Sequence, residues 1–146
     1  MNVVDVIRVI SMALEDKYPN MPVQDRDIDD TSDRPCIIID VSDISSELEA
    51  VGYIKDSFDL EIYVYVEDLN TGFLQLLDLK NELLLWLSNT IQVEDLGYVT
   101  PSNVTAEISK VDKALRVTFG IEIFTNFNND DTSDLEDMEN LAYKEG

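Results

Sequence analysis

Residues Ser57–Val66 alternate polar and apolar without a break. Ser57, Asp59, Glu61, Tyr63 and Tyr65 stand between Phe58, Leu60, Ile62, Val64 and Val66. Period two over ten positions puts one set of side chains on each face of an extended strand. The segment therefore predicts a half-buried strand with an apolar face on a core and a polar-aromatic face away from it. The alternation returns at Leu115, Val117, Phe119, Ile121 and Ile123, set against Arg116, Thr118, Gly120 and Glu122. Val104, Ala106 and Ile108 alternate more weakly, and a turn over 111–113 joins them to that strand as a hairpin. Cys36–Ile39 is a β-branched run that opens another strand. Residues 40–56 between the first two strands read as the distal half of a long β-hairpin with its tip near Glu49–Gly52.

Two stretches carry the helical period instead. Val3, Ile7, Ile10 and Leu14 recur at three- and four-residue spacing, with Asn2 as N-cap and the Pro19 region as the stop. A second helix is expected over 71–91, capped by Asn70 or Thr71. It is apolar almost all round: Phe73, Leu74, Leu76, Leu77, Leu79, Leu83 to Leu87 with Trp86 among them, and Ile91. Only Gln75, Asp78, Glu82 and Asn89 form a polar stripe, so such a helix calls for cover on more than one side. The sheet supplies one side; another helix or another subunit supplies the rest. Met21–Gln24 reads as a short edge strand, and the acid-rich 25–33 stretch as a solvated loop. The order α–β–ββ–α–ββ predicts an α+β fold: a mostly antiparallel sheet with two main helices on one face. The expected domain spans 1–127. Residues 128–146 are an acidic tail with seven acids and one lysine, in which Leu135, Met138 and Leu141 line a short helix that orders on a partner.

Charge then narrows the function. Thirty-one acids against ten bases leave −21 over 146 residues, with no histidine. Clustered Lys and Arg for binding phosphate are missing, and an anionic membrane surface repels such a chain. Without histidine there is no Ser–His or Cys–His dyad and no imidazole metal ligand. A single cysteine, Cys36, excludes an internal disulfide and a thiolate zinc cluster, and its place in a strand predicts a small buried hydrophobe. Asp25, Asp27, Asp29, Asp30 and Asp33 invite a calcium-loop comparison, which fails. An EF-hand loop begun at Asp25 needs glycine where Asp30 stands and glutamate where Cys36 stands. No carboxylate pair is singled out by spacing, no Gly-rich phosphate loop exists, and the Asn103–Thr105 sequon carries no weight without a signal peptide. Asp5 and Arg8 break the first apolar run, so it is neither a signal peptide core nor a membrane span. A soluble protein, cytoplasmic when made, with no catalytic, cofactor or metal residues and no membrane partner is expected.

Two surfaces point to assembly. One is the polar-aromatic face of Asp59, Glu61, Tyr63, Tyr65 and Glu67, since tyrosine both buries area and keeps a hydrogen bond at interfaces. The other is the over-apolar second helix with Trp86. The hairpin tip, with Glu49, Val51, Gly52 and Tyr53, is a third contact candidate because long hairpins add strands to a neighbour's sheet edge.

The layout resembles that of phage tail terminator proteins, in the variety found in phages and prophages of Gram-positive bacteria. The likeness runs over nearly the whole chain. It begins with Met1–Asp5 and its amphipathic helix, then Lys17–Asn20 and the entry Arg34–Ile39 into a long hairpin. The strand Phe58–Val66 leads into a long helix, and Tyr98–Asn103 precedes Leu115–Phe119. The acidic Asp137–Leu141 finishes it. The resemblance implies a structural virion protein at the head-proximal end of the tail, formed in the host cytoplasm. Six copies make a ring that caps the tail tube, stops its polymerisation and gives the head–tail connector a docking surface. DNA passes through the lumen without specific binding, and an acidic lumen would keep the duplex from sticking. Implied partners are its own copies, the tube protein, the connector or neck protein, and the sheath protein where the tail is contractile. Residues 40–56 are expected to reach a neighbouring subunit or the tube. Two alternatives stay open: a tail-completion or head–tail joining protein, and, in another class, an acidic DNA-mimic inhibitor.

Overall fold

The computed structural model describes residues 1–24, 35–50 and 52–126. The Asp25–Asp33 cluster, Val51 and the 128–146 segment with Leu135, Met138 and Leu141 lie outside the described residues. The elements run α1 (Val3–Lys17), β1 (Val23–Gln24), β2 (Cys36–Ala50), β3 (Tyr53–Tyr65), α2 (Leu69–Leu87), β4 (Ile91–Val93), β5 (Gly97–Val99), β6 (Ser102–Ser109) and β7 (Ala114–Asn126). The fold is α+β, with a mostly antiparallel sheet.

Helix α1 starts where the sequence puts a reciprocal cap. The Asn2 Oδ1 accepts from the Asp5 amide at 3.0 Å, and the Asp5 carboxylate accepts from the Asn2 amide at 2.9 Å. Its buried line is Val6, Ile10 and Leu14, at a spacing of four, while Val3 and Ile7 pack partly against the core beside it.

The sheet order is β1-β2-β3-β7-β6. Among the described residues only the β1–β2 pair is parallel. Strands β3 and β7 pair over thirteen positions, from Tyr53 opposite Asn126 to Tyr65 opposite Ala114. The alternation in both strands sorts as expected. Phe58, Leu60, Ile62, Val64, Leu115, Val117, Phe119, Ile121 and Ile123 are all buried in one core with α1 and α2 residues. At about 1.5–3 kcal/mol per large apolar side chain removed from water, this face dominates the stability. Ala50 pairs with Tyr53, so the hairpin turns over two residues, and Gly52 takes φ +84°, a value that side-chain-bearing residues rarely adopt.

Helix α2 differs from its expected bounds. Its N-cap is Asp68, whose Oδ1 accepts from the Asn70 amide at 2.9 Å, rather than Asn70 or Thr71. It ends at Leu87, because the Ser88 hydroxyl and the Asn89 amide both donate to the Leu85 carbonyl, at 2.6 and 3.1 Å. Ile91 therefore belongs to β4, not to the helix. Strands β4 and β5 form a separate small ribbon whose Ile91, Val93 and Val99 join the core. Gly72, in the first turn of α2, allows close packing on Val66, the residue after β3: a Cβ there would lie 2.8 Å from a Val66 methyl.

Length sets how much of the sheet is covered. Fifteen residues give α1 a length of about 22 Å, whereas fifteen residues give β2 about 50 Å. The covered area runs diagonally, reaching Ile39 on β2, Phe58 on β3 and Ile123 on β7. Beyond it Ile44 and Leu48 on β2 are 59% and 69% exposed.

Candidate assembly surfaces

On the face of β3 away from the helices, the cross-strand register gathers groups that are far apart in sequence. Ile38, Tyr63, Arg116 and Glu107 make one row, and Ser42, Asp59, Gly120 and Ser102 another. The Arg116 Nε donates to Glu61 at 3.1 Å and its Nη1 to Glu107 at 3.0 Å, while the Tyr63 hydroxyl also donates to Glu61. The Arg116 hydrogen bond, then that of Tyr63, holds the Glu61 carboxyl below the ordinary glutamate range. Burial, then Glu61, pushes the Tyr63 phenol up to about 12. Tyr63 and Tyr65 stack with centroids 6.3 Å apart. Tyr65 is buried in a second small cluster with Cys36, Ile38 and Ala114, and Tyr63 packs partly against it. The tyrosines expected on this face are thus mostly engaged within the subunit. Asp59 borders an open depression of about 210 Å³ with Asp43, Ser57, Asn103 and Glu122, and Glu67 is exposed past the end of β3. Among the described residues, no group of three or more His, Cys, Asp or Glu is placed to hold a metal ion.

The outward side of α2 carries two exposed leucines. Its buried line is Leu76, Leu79, Leu83 and Leu87; Leu74 and Leu85 stand out at 73% and 71% exposed. Eleven residues apart, these two leucines fall on nearly the same line of the helix, about 16 Å from each other. Trp86 is half-buried against the core with the Lys17 ammonium 5.6 Å from its ring centroid. The Tyr18 hydroxyl donates to Glu82 at 3.0 Å, and burial, then this carboxylate, raises the Tyr18 phenol well above its ordinary value. Lys17, Tyr18, Glu82, Leu85, Trp86 and Asn89 line an open groove of about 360 Å³.

The third surface is the distal hairpin. Tyr53 is 41% exposed and Phe124, on β7, 58%. Gly52 is at the turn; Glu49 lies in β2. Sequence reasoning named the hairpin tip but not Ile44, Leu48 or Phe124, nor the Arg116 bridge. Pattern alone shows which residues alternate, whereas exposure at Ile44 and Leu48 depends on where helix cover stops, Phe124 lies on the face away from the helices, and the bridge depends on register.

No helix among the described residues is long and apolar enough to cross a membrane. None of the curated proteins matches the sequence. A family model described as phage tail terminator protein matches residues 5–133, well over half of the chain. Most of the first helix, the long hairpin, the second helix and the returning hairpin lie within that span, and the chain belongs to the phage tail terminator family.

Proposed function

We propose that the chain assembles as a ring that caps the tail tube at its head-proximal end, stops tube growth, and presents the surface on which the connector docks. Membership of the family makes this a structural phage protein of the virion tail, associated with other tail or head components. The observation that carries the finer reading is exposed apolar side chains at two unlike places on one subunit: Leu74 and Leu85 on α2, and Tyr53 with Phe124 on the distal sheet. A closed ring uses heterologous contacts, so each subunit needs two different faces that match each other or a neighbour in the stack. Six copies follow from the likeness to the family, as does passage of DNA through the lumen. The net charge of −21 suits a lumen that lets phosphates slide without binding them. In this reading residues 1–127 are the ring-forming unit and 128–146 order on a partner.

Electron microscopy of the purified protein, alone and with tube subunits, tests the proposal. Closed rings, and rings at one end of tubes only, are expected. A discrete monomer that leaves tube growth untouched and instead blocks a DNA-binding enzyme would replace it with the mimic.

A further inference from the structure

Strand β2 has one side that no described element covers. Strand β1 pairs only with Ile37 and Ile38, so from Asp40 to Ala50 the outer edge of β2 has no strand beside it among the described residues. An open edge is a template for another strand, and proteins normally blunt it with charge and bulges. This edge shows both devices: Asp40, Asp43 and Glu47 without a base from 40 to 50, and a register shift after Ser42 where Asp43 takes φ +52°. It also carries what a merely protected edge would not, the exposed Ile44 and Leu48.

The charge decides who can pair with it. Among the described residues a second copy has no matching strand. Arg8, Lys55 and Arg116 are bonded to carboxylates of their own chain, and Lys17 and Lys110 lie over Trp86 and Phe73. Lys110 and Lys113 sit with Asp112 in the β6–β7 turn rather than along a strand edge, and β6 itself brings Glu107. Acids facing acids would repel a sister subunit, whereas the same acids favour a cationic strand.

We propose that the Asp40–Ala50 edge of β2 accepts an extended, Lys/Arg-bearing segment of a different protein, by strand addition. The exposed Ile44 and Leu48 take its apolar side chains, and the row of carboxylates takes its bases. The inference rests on the assembly role proposed above, but it assigns this edge to another component rather than to the contact between copies.

The test uses the full-length protein and two synthetic ten-residue strands, one alternating Lys with Val and Thr, the other alternating Glu with Val and Thr. Fluorescence anisotropy reads binding, and amide hydrogen exchange reads which backbone is covered. The Lys strand is expected to bind, to weaken at least tenfold between low and high salt, and to protect amides within 40–50. Asp43→Lys with Glu47→Lys, both at exposed positions, should lose the Lys strand and gain the Glu strand while keeping the wild-type circular dichroism. Equal binding of both strands, binding unchanged in the double variant, or protection elsewhere would overturn the proposal. So would amides of 40–50 that are already protected without peptide and become exposed on dilution, which gives the edge to a sister copy. Light scattering on the same samples keeps the two readings apart. A monomer that binds the Lys strand refutes the ring alone, and a ring that ignores it refutes the edge assignment alone.

Discussion

The two ends of the β2–β3 hairpin share the same two strands, yet meet different fates. At the proximal end Ile37, Ile39, Ile62 and Val64 are at most 2% exposed beneath the helices. At the distal end Ile44 and Leu48 stand at 59% and 69%. The difference is one of reach, because a strand advances about 3.3 Å per residue and a helix 1.5 Å, so equal lengths of chain leave surplus sheet. Surplus sheet contributes little to the core and is free for contacts with other molecules. The lesson is that exposure of an apolar strand residue here reports the limit of helix cover, not a weak pattern.

If the proximal end holds the fold, its substitutions should be the costly ones. Phe119→Ala removes a ring that is 1% exposed and should cost about 3–5 kcal/mol in a denaturant titration. Gly72→Ala puts a Cβ 2.8 Å from Val66 and should destabilise by about 1–3 kcal/mol despite the better helix propensity of alanine. Trp86 is half-buried, so Trp86→Ala should fall below the full-burial range, at about 1–2 kcal/mol, and should also weaken assembly. The Glu61 carboxyl lies below its ordinary value of about 4.3 in the folded chain, so its contribution is complete above that pH and is lost as pH falls through the folded value. The stability gap between the wild type and Glu61→Gln should therefore shrink as the pH of a thermal melt drops below about 4. Leu48→Ser and Phe124→Ser should move stability by no more than about 0.5 kcal/mol and yet impair assembly. A loss of several kcal/mol at Leu48 would erase the contrast between the two ends.

Much of this was legible residue by residue. Asn2 announced the start of α1, the strict alternations placed β3 and β7, and Gly52 marked the turn. What was not legible depends on three dimensions. Strands β4 and β5 have three residues each, too short for a period to register, and Ile91 looked like one more apolar helix position. Asp68, not Asn70 or Thr71, caps α2, and Val66 packs close on Gly72 just beside it, a contact that sequence does not display. The Arg116 bridge needs Tyr63 opposite Arg116 and Glu107 opposite it on the other side, which only the register supplies. The tyrosine face looked open because alternation assigns a face but not its occupants. Stacking and the Cys36–Ile38–Ala114 cluster take up most of it.

Amide hydrogen exchange on the free chain and on assembled tail ends tests the division of labour most directly. Protection of Ile37–Ile39, Ile62–Val64 and Leu115–Val117 should be high and equal in both states, while 45–50 and 124–126, paired on one side with β3, should rise above their free-chain protection on assembly. Equal protection of the distal residues in the free and assembled states would contradict the account.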